Sequence, residues 1–360
     1  MEHSLRNLGI AKAGVAAALV MGLAACGVPG AASPSQQAPA SAGARGSSAA
    51  AGAGANASGS ASPSASAGAN GQLGMVLEVN NTGWQKAVGT PSAQGMVVAL
   101  VIPGQPADKA GLKVGDVVTN MNGVDVTNAN ITNREIRKLK VGDKVSLAIA
   151  RKAASAKVDL TVAAAQQIDL PSMLTDLAKK ENSARAYFLK AAYGDKDAKT
   201  AQDDYSTAIS LQPDFVSAYV ERGTLIENSD KGKAMQDFNK AIELDAKYEP
   251  AYVNRSVLFS SQKTYDKALE DDLKAVQLDA NDPAAYTNLG IGYVNQGKPQ
   301  DAMTAENKAL EIDPQFGPAL VYRGLMYRDA SRSDLENGVR FVRDAKLKDI
   351  AQSALQKMSA

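Results

Sequence analysis

Three hundred and sixty residues are enough for about two domains, and 39 Lys plus Arg against 38 Asp plus Glu leave no bulk charge to draw nucleic acid. The one histidine, His3, and the one cysteine, Cys26, lie in the first 26 residues. If that stretch is processed, the mature chain holds no Ser-His-Asp or Cys-His nucleophile, no His or Cys metal site and no disulfide, and no cofactor is expected.

The chain starts with the basic residues Arg6 and Lys12, then runs apolar from Ala13 to Leu23. Eleven helical residues reach about 16 Å, half of a bilayer core, so the run reads as a secretory signal and not as a span. Leu23-Ala24-Ala25-Cys26-Gly27 resembles the lipobox of bacterial lipoproteins. That resemblance implies removal of residues 1–25, a lipid on Cys26, and attachment to the extracytoplasmic face of a bacterial membrane in the cell envelope. From Gly27 to Asn70, 38 of 44 residues are Ala, Gly, Ser or Pro. Such a chain cannot bury enough apolar surface to order itself, so 26–70 is expected to be a disordered tether. Its root-mean-square span is about 35–40 Å.

Strand signals follow. Met75–Val79 is a short strand candidate, and Gly95–Ile102 reads as a buried strand stopped by Pro103-Gly104. Pro106–Gly111 fits a helical turn or two, and Asp116–Met121 is a further strand closed by the turn pair Asn122-Gly123. Thr132–Lys140 is a helix candidate, and Lys144–Arg151 alternates as a last core strand. The order, with Pro103-Gly104-x-Pro106-Ala107-x-x-Ala110-Gly111-Leu112-x-x-Gly115-Asp116-Val117-Val118, resembles a bacterial PDZ domain of the kind attached to high-temperature-requirement serine proteases. It covers 71–165. The resemblance implies a small α+β domain, a partly open β-barrel with two helices, whose groove takes the C-terminus of another polypeptide. The backbone N–H groups of Leu73, Gly74 and Met75 would hold the carboxylate. Val76, Leu77 and Glu78 would extend the peptide as an added strand, facing Ile136 and Leu139 of the helix. No histidine opens that helix, so an apolar C-terminal residue is the expected ligand.

After an expected linker at 166–180, the chain repeats itself. Ala208, Ala241, Ala275 and Ala309 recur at steps of 33, 34 and 34, as do Ala201, Ala234, Ala268 and Ala302. Small residues at such positions let paired helices approach closely. The pattern over 181–346 looks like four to five tetratricopeptide repeats, an all-α solenoid, with 347–360 as a closing helix and tail. The resemblance implies a partner-binding concave face lined by Val220, Thr224, Val253, Val257, Thr287, Ile291, Val321 and Leu325. Two features belong to this sequence. Asp272 and Glu306 stand where the family has an aromatic, and local repacking is expected to expose them. Arg222 and Arg255 recur against Asp237 and Asp271, while Leu289 against Ala305 loses both charges, which predicts the pairs Arg222–Asp237 and Arg255–Asp271.

The function that follows is non-catalytic. Adjacent carboxylates such as Asp203-Asp204 point about 100° apart on a helix and do not converge on a substrate. We read the chain as an envelope adaptor whose partners are protein C-termini or extended peptides of other envelope proteins, with the membrane reached through Cys26. The alternative is a regulatory or chaperone-like accessory presenting unfolded C-termini to a separate envelope protease. A third reading is self-association through the chain's own end, Lys357-Met358-Ser359-Ala360.

Overall fold

The computed structural model describes residues 71–360 apart from 153, 165, 167, 196, 327–330, 343 and 360. The signal segment, Cys26 and the tether lie outside the described residues. The first domain runs β1 (Gly71–Gln72), β2 (Met75–Val79), α1 (Thr82–Val88), β3 (Met96–Val101), α2 (Pro106–Lys109), β4 (Val117–Met121), β5 (Val124–Asp125), α3 (Ala129–Lys138), β6 (Lys144–Arg151), β7 (Ala154–Thr161) and β8 (Ala163–Ala164). Its sheet is antiparallel in the order β2-β3-β4-β6-β7, with β5 on β4, and β1 pairs with β8 to tie the two ends together. Asn122 and Gly123 both take positive φ, 53° and 88°, as a tight hairpin between β4 and β5 requires. The helix expected from Thr132 starts at Ala129 instead. The Asn128 side chain accepts from the Ile131 N–H at 2.9 Å, and Leu139 is already extended. One apolar cluster fills the domain, from Met75 and Leu77 through Met96, Val98 and Val118 to Ile136, Leu139 and Leu147.

The second part is a row of antiparallel helices. The segment expected as a linker holds α4 (Leu170–Glu181), whose Leu174 is fully buried. Then follow α5 (Ala184–Tyr193), α6 (Ala198–Leu211), α7 (Val216–Ile226), α8 (Lys231–Leu244), α9 (Glu249–Ser261), α10 (Tyr265–Leu278), α11 (Pro283–Asn295), α12 (Pro299–Ile312), α13 (Gly317–Met326), α14 (Ser331–Phe341) and α15 (Ala345–Ser359). The periodic alanines 208, 241, 275 and 309 are all at 0% exposure, the close approach their spacing predicts. A second small-residue column faces them. A Cβ on Gly223 would meet Phe238 at 2.7 Å, one on Gly290 would meet Glu306 at 2.7 Å, and one on Gly324 would meet Leu335 at 2.9 Å.

Both predicted ion pairs form. Arg222 donates twice to Asp237, at 2.9 and 2.7 Å, and Arg255 twice to Asp271, each at 2.8 Å. Arg323 repeats the arrangement on Asp334 at 2.7 and 2.8 Å. The aspartates are buried, so these pairs differ from solvated ones, and the single mutation hurts more than the double. We expect Asp237→Ala to lose about 2–3 kcal/mol, because Arg222 loses its carboxylate and keeps the neutral Ser206 hydroxyl. The double change to the Leu and Ala that α11 and α12 carry at Leu289 and Ala305 should stay within about 1 kcal/mol of the parent. Denaturant melts of the two variants measure this, and equal losses would refute it.

Candidate peptide-binding groove

The loop before β2 is shaped by its glycine. Gly74 sits at φ +76°, and Gln105 packs where a Cβ would project, so no other residue fits without strain. Carbonyls of the loop are tied back into the domain, with Ala107 N–H donating to Leu73 and Ile102 N–H to Gly74, each at 2.9 Å. Among the described residues, no acceptor is found for the N–H groups of Leu73 or Gly74. Two free donors beside an edge strand are what an anionic chain end needs.

The strand that would receive a peptide is β2, which among the described residues pairs only with β3. Its residues alternate. Met75 and Leu77 join the domain core together with Ile136 of α3 and Leu139 just after it. Val76 and Glu78 turn the other way, toward the helices. Val76 packs in a cluster with Trp84, Phe188 and Phe215. The Tyr193 hydroxyl donates to Glu78, and burial, with Glu221 nearby, pushes the Glu78 carboxyl well above the usual range. Every expected groove residue is at 6% exposure or less: Leu77, Ile136 and Leu139 share the domain's apolar core, while Val76 and Glu78 are buried against the helices.

The helical row covers this side of the α/β domain. At one end the contact is apolar: Trp84 is fully buried, edge-on to Phe188 at 5.4 Å and to Phe215 at 5.0 Å. Asn81 donates to Ser217 at 2.8 Å, and Lys86 pairs with Asp214. Farther along, the turns joining one helix pair to the next touch the domain in succession. Thr82 N–H donates to Asp245 at 3.4 Å, Asn128 to Asp279 at 2.7 Å and Asn130 to Asp282 at 2.8 Å. Arg134 donates to the Ile312 carbonyl at 2.5 Å, and Arg137 reaches Asp313 at 3.3 Å. A guanidinium on the last carbonyls of a helix also meets the negative end of its dipole. Asp245, Asp279 and Asp313 are 34 residues apart, so one repeating turn residue is used three times over.

Sequence reasoning missed this docking surface. The recurrence of Asp245, Asp279 and Asp313 was a visible signal, and 11 basic against 8 acidic residues over 71–170 faces 23 against 28 over 181–360. The expected concave lining lies on the first helices, but most of it is inaccessible. Val220, Val253, Thr287, Ile291, Val321 and Thr224 are at 5% exposure or less, while Val257 and Leu325 are half-buried. Part of the cover is α15, whose Leu347, Ala351 and Ala354 share a cluster with Ile291 and Val321. Asp272 and Glu306 are not exposed as expected. They stand at 2% and 0%, inside the helix pairs.

Residues 71–162 match the family model of the PDZ domain, and residues 223–248 and 283–316 match that of the tetratricopeptide repeat. The chain carries a PDZ domain followed by tetratricopeptide repeats. Among curated proteins, the periplasmic serine endoprotease DegP of Salmonella typhimurium is 30% identical over 115 residues, 31% of this chain and 24% of the relative. A probable periplasmic DegP-like endoprotease of Pseudomonas putida (strain W619) is 33% identical over 96 residues, 27% of this chain and 20% of the relative. The chain thus spans about a quarter of the length of the curated relatives it matches. Among solved structures, YrrB, described as a TPR protein with an unusual peptide-binding site, is 20% identical with a TM-score of 0.37, covering 51% of this chain and 98% of YrrB. Among the described residues of the PDZ domain and the repeats, no helix is long and apolar enough to cross a membrane.

Proposed function

We propose that this chain is a non-catalytic adaptor of the bacterial envelope, lipid-anchored through Cys26, that binds the free C-termini of other envelope proteins in its PDZ groove. The observation that carries the reading is the pair of unused N–H donors on Leu73 and Gly74, set beside the single-sided strand β2. An anchored tether holds such a groove at the membrane surface without fixing its orientation. The repeats brace the PDZ domain. Their concave face offers a second, smaller surface where Val257 and Leu325 remain partly open. A second reading, an accessory that presents unfolded C-termini to a separate envelope protease, is favoured by one observation: the PDZ segment's relatives are endoproteases.

The test is carboxylate dependence. Ten-residue peptides ending in Val, Leu, Ile, Phe or Ala are titrated against residues 71–360, each with a free and with an amidated C-terminus. Amidation is expected to weaken binding at least tenfold, since it removes the charge the two N–H groups receive. Equal binding of both forms would sink the reading.

A further inference from the structure

The contacts between the PDZ domain and the repeats are of two kinds, and they sit on opposite sides of the groove. On the β2 side the joint is apolar and locked. Val76, Val97, Ala99 and Leu100 share one cluster with Leu174, Phe188 and Phe215, and Arg185 donates to the buried Ala99 carbonyl at 2.8 Å. On the α3 side it is polar throughout. Asn128, Asn130, Arg134 and Arg137 meet Asp279, Asp282, the Ile312 carbonyl and Asp313. No apolar cluster among the described residues joins α3 to the repeats.

This asymmetry is that of a hinge and a clasp. An apolar joint is held by keeping its surface from water, and water offers nothing in exchange. A polar contact gives up hydrogen bonds to water for those it makes, so its net gain is small. The side that can part is therefore the α3 side. The row of turns from Asp245 to Asp313 starts beside the end of β2, where Thr82 meets Asp245, and finishes on α3. It runs from one wall of the groove to the other, and Val76 and Glu78 of β2 are buried against the helices. On the ridge itself Glu249, Asp279 and Asp282 crowd together. Burial and the Asp279 charge push the Asp282 carboxyl up to about 7, and burial pushes Glu249 well up, so these acids resist being held close.

We propose that the repeats are an intramolecular cover of the PDZ groove, held shut by the polar clasp on α3, and that a free C-terminus ending in an apolar residue binds only when the clasp opens about the Trp84 hinge. The proposal rests on the peptide-binding reading above. A closed population lowers the apparent affinity by the fraction of molecules that are open, so weakening the clasp tightens binding without touching the groove.

The experiment compares three forms of residues 71–360 against the same free-carboxylate peptides. The first is the unaltered chain and the second is Arg134→Ala with Arg137→Ala. The third is Asn130→Cys with Asp282→Cys, oxidised to bridge the clasp and then reduced in the same tube. We expect the double arginine variant to bind at least tenfold tighter than the unaltered chain. The bridged form should not bind, and reduction should restore binding. Reduction controls for any damage done by the cysteines themselves. If the unaltered, arginine-variant and bridged forms bind alike, the groove is not covered and the proposal falls while peptide binding stands. If no form binds, reduced or clasp-broken, the peptide-binding reading falls and takes the proposal with it.

Discussion

Trp84→Ala is expected to cost about 3–5 kcal/mol and to loosen both parts of the chain at once, because the residue belongs to neither part alone. Its indole is fully buried between β3 of the PDZ sheet and the first repeats, edge-on to Phe188 and Phe215. Truncation leaves a cavity lined by two rings that are themselves fixed, Phe188 also contacting Tyr205 at 5.7 Å, so collapse into the void is limited. The helix that carries Trp84 has little of its own to hold it. It is seven residues long, with Asn81 capping the Trp84 N–H at 3.1 Å. Denaturant melts give the loss, and amide exchange locates it. Faster exchange is expected at Val97 and Ala99 of β3 and also along α5. A change confined to the PDZ strands would show that the two parts are only leaning on each other. Trp84→Phe should cost far less, since a ring remains and the indole N–H, which has no partner among the described residues, is removed.

The same region shows where sequence reasoning stops. Strands β2, β3 and β4 and the Asn122-Gly123 turn were legible because their signals are local: β-branched runs and a dipeptide that tolerates positive φ. The alanine columns were legible because repetition multiplies a weak signal. Helix α1 was not, because Thr82 and Gly83 are poor helix formers and seven residues show no periodicity. Its role comes from Phe188 and Phe215, more than 100 residues away, and no local pattern encodes such a partner. The groove loop could be placed from Gly71 to Met75, but the closure of the groove could not, since it depends on α3 meeting turns 150 residues downstream. Asp272 and Glu306 were misread for a related reason. A carboxylate at a core position suggests exposure when only its own helix is considered. The facing column of Gly223, Ser256, Gly290 and Gly324 carried the correction, because a small residue there makes room for whatever projects from the second helix.

Those two carboxylates should add to the pH response of the repeats, beside Glu249 and Asp282. Burial pushes Asp272 from about 4 up to about 8, and pushes Glu306 well above its ordinary range. Among the described residues, one oxygen of Asp272 and both of Glu306 have no hydrogen-bond partner, and the nearby Thr287 hydroxyl donates to the Pro283 carbonyl. A raised folded-state value means that the folded chain holds the proton more tightly than the unfolded chain. Their contribution to stability is therefore full below about pH 4 and falls as pH rises, and that of Asp272 is lost by about pH 8. At about 1.4 kcal/mol per unit, that contribution is on the order of a few kcal/mol. Asp272→Asn should remove the Asp272 share of this decline while changing little at pH 4. Glu306→Phe should go further. Phe238 already projects at Gly223 as Glu306 projects at Gly290, so the ring has a shaped space to enter. Replacing an unpaired buried acid by a packed ring is expected to stabilise the chain by about 2–4 kcal/mol at pH 8, and by less at pH 4 where the acid is neutral. Melts at the two pH values decide it. A gain that is equal at both would mean that Glu306 is neutral throughout and that only packing matters. A loss at both would mean that the Gly290 space is shaped for a carboxyl and rejects the ring.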